Sequence, residues 1–398
     1  MSIKKHLYIA LSLILILGGC GKSLPDDSVR ITNQGEIIGV EREDNTYAWL
    51  GIPFAEPPVG DLRWKAPIKP KKFSSRFEAS KFSEVCFQRE GIMTGNVGGW
   101  TGSEDCLYLN VWSPAWTTEQ LKEKNVPVMM WIHGGGNTIG SADTYYPTDL
   151  VSQHEVIVVT VQYRMSNLGW FRHPALRQGN STLEDVSGNY GTLDNLMALK
   201  WIKENISYFG GDENNVTIFG ESAGGHNVAA LYASPIATGL FHKAIVQSGI
   251  VSHSLIEDAE SYYPEDGTSG IQSSKEIINR LLINDEQADS LKSAKDMQNA
   301  MSLEELEVYL RSKKPEDLLT AYFEASPKKG GMTRAFNDGH VIGTKGIYES
   351  FVNSNFKRVP IILGSNRYET KLFNMRNPEF VKWGEGEGVI ATALSWAG

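Results

Sequence analysis

One stretch limits what this chain can fold into more than any other: NNVTIFGESAGGHNVAALYA, Asn214 to Ala233. Val216 to Phe219 is apolar and β-branched, Gly220 to Gly224 spells G-x-S-x-G, and Ala223 to Ala233 reads as a helix. Strand, tight turn and helix in that order form a corner whose small residues let the backbone fold back sharply, lifting the central serine above a sheet. Three fixed positions recur easily by chance, and a plain glycine turn would read the same way. The flanking strand and helix decide for the corner. A serine hydroxyl placed there, on Ser222, is a candidate nucleophile that needs a neighbouring base.

The remaining strand-like runs agree with a layered sheet. Leu107–Trp112, Val128–Ile132, Val156–Tyr163, Val216–Phe219, Ala244–Gln247 and Pro360–Leu363 are short and apolar, and helical runs (Asn195–Asn205, Ala223–Ala233) lie between them. Near-continuous apolar strands alternating with helices predict an α/β fold with a mostly parallel central sheet covered on both faces. The charged stretch Ser273 to Lys314 reads as helices with solvated faces, an inserted helical region of a single domain. No repeats are visible, and low complexity is confined to Lys382–Gly398. With 398 residues, 41% of them hydrophobic, the chain is long enough for an ample core. A net charge of −9 argues against a nucleic-acid partner. There is no HExxH, CxxC pair or P-loop, so no metal or cofactor is predicted.

The N-terminus carries Lys4 and Lys5, then an apolar run from Leu7 to Leu17, which is signal-peptide length and short for a membrane span. Leu17-Gly18-Gly19-Cys20 resembles a bacterial lipobox, in which the cysteine takes the lipid and becomes the mature N-terminus. A conventional cleaved signal or a retained anchor is the alternative. This divides the chain into a lipoprotein signal peptide (1–19), a polar linker (20–28) and one domain (29–398). Gly21 is not the aspartate associated with inner-membrane retention, which favours the outer membrane in a Gram-negative cell. Of three cysteines, Cys20 would carry lipid, leaving Cys86 and Cys106. In an exported chain they read as one disulfide closing a loop of about 20 residues, worth roughly 3 kcal/mol; a free buried pair is the alternative.

A second constellation lies upstream in VMMWIHGGGNTIGSA, a buried strand running into His133-Gly134-Gly135-Gly136. Glycines there let backbone N–H groups approach a developing oxyanion with no Cβ in the way. Two glycine signals in the right order make a mere turn a poor explanation of both. Here the chain resembles the type-B carboxylesterases, the cholinesterase-like and para-nitrobenzyl-esterase branch of the α/β-hydrolases. YAWLGIPFAEPPVGDLRWKAP (Tyr47 to Pro67) is similar to the family's N-terminal signature, and SEDCLYLNVWSP (Ser103 to Pro114) to its second. Gly188 to Gly225 follows the pattern around the nucleophile, and the likeness runs from about Gly35 to Phe373. The resemblance implies an α/β-hydrolase fold with Ser222 as acyl-forming nucleophile and the N–H groups of Gly135, Gly136 and Ala223 as oxyanion donors. It implies a supporting hydroxyl at Ser248 and a Cys86–Cys106 pairing. The family's acid, a glutamate, falls on Glu369 in LGSNRYETKLF, although Tyr368 and Thr370 depart from the family's acidic residue and glycine.

The base is the missing piece. The fold's chain order is serine, acid, histidine, yet none of the 29 residues after Glu369 (398 − 369) is a histidine. All eight histidines lie upstream: His6, His133, His154, His173, His226, His242, His253 and His340. His226 is one helical turn beyond Ser222, His133 belongs to the glycine loop, and His340 after FNDG is the least implausible substitute. The expectation is a family member lacking its C-terminal part: a serine carboxylic-ester hydrolase by descent, acting on a small-molecule ester, weak or inactive as it stands, and held to a membrane by its lipid. The alternative is a surface binding or adhesion module on the same fold.

Overall fold

The computed structural model describes residues 24–90, 98–263, 273–325, 332–353, 358–369 and 371. The signal peptide (1–19), Cys20, His6 and the stretch Lys382–Gly398 lie outside the described residues. Among those described, no helix is long and apolar enough to cross a membrane.

An eight-stranded sheet forms the centre. Its strands are β1 (Val40–Arg42), β2 (Thr46–Pro53), β3 (Tyr108–Pro114), β4 (Val126–Ile132), β5 (Ile157–Val161), β6 (Gly211–Glu221), β7 (Lys243–Gln247) and β8 (Ile361–Gly364). Their spatial order is β8-β7-β6-β4-β5-β3-β2-β1. The first five in that order run parallel, and β3, β2 and β1 complete the sheet by antiparallel pairing. β5, Ile-Val-Val-Thr-Val, is buried at every position, as an apolar strand covered on both faces should be. Each strand read from the sequence is present, displaced by a few residues at most except at β6, which begins five residues earlier. The sequence reading did not pick out β1 and β2. Polar residues break up β1, and β2, buried at seven of eight positions, lacks the alternation that marks a half-buried strand.

Register lines up the strand ends. Gly220 sits opposite Ile132, Glu221 opposite Gln247, and Gln247 opposite Gly364. The segments that follow β4, β6, β7 and β8 therefore leave the sheet side by side along one edge. Carboxyl-end edges of open parallel sheets are where such folds bind ligands.

Helices cover both faces. α1 (Thr148–His154) seats Val151 on Ala48, Leu50, Trp112 and Val158. On the opposite face lie α2 (Tyr190–Asn205) and α3 (Ala223–Ala233), whose eleven residues are all buried. α2 begins five residues before the apolar run suggests. Gly191 and Thr192 are weak helix formers, but the side chain of Asn189, just before the helix, is held by Phe336 O at 3.0 Å and Asp338 Oδ1 at 2.9 Å. The charged stretch forms α4 (Ser274–Asn284), α5 (Leu291–Ala300) and α6 (Leu303–Ser312), and α7 (Pro315–Ala325) follows directly after its end. Ser273, Ser290 and Ser302 cap the first three through their hydroxyls, and Glu305 completes a capping box with Ser302.

Two covalent or ionic ties fix the frame. Cys86 and Cys106 are joined, with sulfurs 2.02 Å apart. Arg164 makes a forked pair with Asp194 on α2, Nε to Oδ2 at 2.8 Å and Nη2 to Oδ1 at 2.7 Å. Both side chains are at most 4% exposed.

Candidate active site

Ser222 stands between β6 and α3 at φ 56° and ψ −119°, a left-handed corner that costs a non-glycine residue about 1–3 kcal/mol. Its neighbours must be glycine for want of room. A Cβ on Gly224 would come within 2.0 Å of Ile132 O, and one on Gly220 within 2.6 Å of the same oxygen. The turn is thus pressed against the end of β4, and Ser222 N–H is anchored to Gln247 O at 2.9 Å.

The glycine loop lies directly beside this corner. A Cβ on Gly134 would sit 2.8 Å from Glu221 O and 3.3 Å from Ser222 Cβ. Gly135 and Gly136 take φ values of 104° and 66°. Gly135 O accepts the N–H groups of Thr138 and Ile139, both at 3.1 Å, closing the loop on itself. Ala223 opens α3, so its N–H has no carbonyl one turn back to bond.

Glu369 sits on the segment after β8, beside Ser248 at the end of β7. Its Oε1 accepts the Ser248 hydroxyl at 2.5 Å and the Asn366 N–H at 2.6 Å. These two donors hold its carboxyl below the usual range, so it is ionised near neutral pH. Glu221, just before Ser222, moves the other way: partial burial and then the charge of Glu369 raise its pKa. Ser222, the glycine loop and the Glu369 carboxylate thus lie along the one sheet edge.

The described histidines lie on other elements, and most of them bond other groups. His226 starts the helix geometry behind Ser222, its N–H donating to Ser222 O at 2.9 Å, but its Nδ1 pairs with Ile250 O at 2.6 Å. His133 pairs with Gly134 O at 2.9 Å and stacks on Tyr163 at 4.4 Å. Burial pushes both rings down to about 4, so both are neutral at pH 7. His340 lies 3.1 Å from Glu184 Oε1, and His173 and His242 accept the N–H groups of Ala175 and Val216. The half-buried His253 is packed on Gly346, and His154 ends α1 in solvent. Among the described residues, no histidine bonds the Ser222 hydroxyl or the Glu369 carboxylate.

Sequence reading missed the polar cluster behind the glycine loop. Asn137, Tyr163 and Asn227 meet there, all fully buried. Asn137 directly follows the glycines and has φ 56°; an asparagine at that place, tolerant of the left-handed region, was the available signal. Its partners lie 26 and 90 residues away, beyond any local pattern.

A mostly parallel sheet with helices on both faces and a serine corner facing a glycine loop defines an α/β-hydrolase. The chain belongs to the carboxylesterase family, whose pattern it matches over residues 26–385. It is 36% identical over 351 residues to the fumonisin B1 esterase of Sphingopyxis macrogoltabida, covering 88% of this chain and 58% of that protein. It is 36% identical over 351 residues to the para-nitrobenzyl esterase of Bacillus subtilis (strain 168), covering 86% of this chain and 63% of that one. Among solved structures, a thermophilic para-nitrobenzyl esterase superposes with a TM-score of 0.71 at 30% identity, covering 93% of this chain and 68% of its own. The chain thus spans about three-fifths of the length of the two relatives named.

Proposed function

We propose that the chain carries the nucleophile, oxyanion donors and acid of a serine hydrolase acting on small-molecule carboxylic esters. Ser222 Oγ attacks the ester carbonyl carbon, and the oxyanion that forms is held by the N–H groups of Gly135, Gly136 and Ala223. Collapse breaks the bond to the alkoxy oxygen, which leaves with the proton that a general base took from Ser222 Oγ, and water, giving its own proton to that base, then hydrolyses the acyl-enzyme. Glu369, braced by Ser248, is the acid that would orient an imidazole base and stabilise the imidazolium it becomes. The observation that carries this reading is the left-handed Ser222 corner with Gly134 packed against it. The reaction uses no metal or cofactor.

Among the described residues no group is placed to serve as the general base, so a polypeptide of these residues alone is expected to be weakly active. That same observation favours a second reading, a non-catalytic binding or adhesion module on the esterase fold. Covalent labelling separates the two. At about pH 9.5, hydroxide ion can take the Ser222 proton in place of a base. A fluorophosphonate should then add one phosphonyl group, and Ser222→Ala should add none. If no adduct forms, the binding-module reading stands in its place.

We also propose that Cys20 is lipidated after removal of residues 1–19, placing the protein in the cell envelope, at the outer membrane if the cell is Gram-negative. The lipobox sequence supports this, and the Cys86–Cys106 disulfide suits an oxidising compartment. One acyl chain binds a membrane only marginally, so stable anchoring needs several. Cys20→Ser should release the protein to the soluble fraction or leave an unprocessed precursor. Membrane retention and processing unchanged by Cys20→Ser would sink the proposal.

A further inference from the structure

The oxyanion loop and the nucleophile belong to different elements, and something must hold their N–H groups and hydroxyl in mutual register. We propose that Asn137 is that positioning residue, an inference that rests on the reading of Ser222 as nucleophile. Asn137 follows Gly135 and Gly136 without a gap, is 0% exposed and sits at φ 56°. Its Oδ1 accepts the Asn227 amide at 2.9 Å, and the Tyr163 hydroxyl lies 3.2 Å from the same oxygen. Its Nδ2 donates to Thr333 O at 2.8 Å, and its backbone O accepts the Ser166 N–H at 2.7 Å.

Each partner reaches a different part of the site. Asn227 stands on α3, five residues beyond Ser222, so its amide ties the loop directly to the nucleophile's helix. Tyr163 follows β5 and donates its one O–H to His133 O at 2.7 Å, fixing the first residue of the loop while its oxygen packs beside Asn137 Oδ1. Thr333 returns a bond of its own, its N–H meeting Gly136 O at 3.3 Å, and its hydroxyl pairs with Tyr322 of α7 at 2.5 Å. The loop is therefore held by the nucleophile's helix on one side and the inserted helices on the other.

The residue type is dictated by these demands. The site needs a short side chain with an oxygen for the Asn227 amide, an N–H for a carbonyl, and tolerance of the left-handed region. Aspartate lacks the donor, serine lacks the reach, and glycine would leave Asn227 Nδ2 and Thr333 O buried without partners. Among the described residues Asn227 Oδ1 makes no hydrogen bond, so the bond to Asn137 is the one this side-chain amide makes there. Oxyanion donors work only within tenths of an ångström of the developing charge, so a loosened loop lowers the rate and leaves ground-state binding alone.

The test measures phosphonylation of Ser222 in the full chain at about pH 9.5, varying fluorophosphonate concentration, with thermal melts of each variant. Asn137→Ala and Asn227→Ala should each label about 100-fold more slowly at saturating probe, with the half-saturating concentration kept within about twofold. A purely structural role would lower the melting temperature and leave this division between rate and affinity unmoved. If Asn137→Ala fails to fold, Asn227→Ala decides alone, because it removes only the tether to α3. A folded Asn227→Ala labelled within about threefold of the parent, or a loss residing wholly in the half-saturating concentration, overturns the proposal. An unlabelled parent sinks the Ser222 reading and this inference with it. A labelled parent with unaffected variants sinks this inference only.

Discussion

A polypeptide of these 398 residues is expected to hydrolyse 4-nitrophenyl butyrate at close to background rate. The base of a serine triad must lie about 3 Å from both the serine hydroxyl and the acid. Here the Glu369 carboxylate is bonded to Ser248 and Asn366, and no described histidine reaches it or Ser222. In a serine protease, loss of the base costs on the order of 10⁶ in turnover, about 8 kcal/mol, leaving binding and oxyanion effects. Joining a histidine-bearing segment from a para-nitrobenzyl esterase after residue 371 should restore turnover in a manner dependent on Ser222 and Glu369. For His226 to serve instead, its ring would have to leave a fully buried pocket and surrender its bond to Ile250 O. Ordinary turnover by the unaltered polypeptide, abolished by His226→Ala or His340→Ala, would identify a substitute base and overturn the expectation.

The largest effect on stability should come from Asp194→Ala. Asp194 takes two bonds from the Arg164 guanidinium and a third from its backbone N–H at 3.0 Å. Truncation leaves a guanidinium that is 4% exposed with no counter-charge. Breaking a buried pair in this way costs about 3–5 kcal/mol, which for a domain of this size lowers the apparent melting temperature by roughly 4–7 °C. Glu204→Ala removes the exposed pair with Lys69, whose side chains are 40% and 64% exposed, and should shift it by roughly 1 °C or less. Differential scanning calorimetry of both variants checks the contrast. Equal shifts for the two would contradict the assignment of Arg164–Asp194 as a structural tie.

What was readable in the sequence was what local chemistry dictates. The β5 run and the glycines of the Ser222 corner each carry their own signal, because strand burial and close approach act over a few residues. Glu369 could be placed only by resemblance, since nothing in RYETK marks a carboxylate that will meet Ser248 from 121 residues away. The Arg164–Asp194 pair and the Asn137 cluster left no local trace either. Their partners are brought together by sheet order, which the sequence pattern fixes only as a class. Asn189 shows the same limit at a helix start, where tertiary bonds to Phe336 and Asp338 outweigh weak propensity.

The central claim is that Ser222 and Glu369 act together once a base stands between them, and imidazole rescue tests it most directly. Free imidazole is small enough to occupy the space between a serine hydroxyl and a carboxylate and to serve as a general base there. Release of 4-nitrophenol should show a component that saturates with imidazole concentration and disappears in both Ser222→Ala and Glu369→Gln. If the parent and the Ser222→Ala variant respond identically to imidazole, with only the solution reaction between imidazole and ester, the claim is wrong.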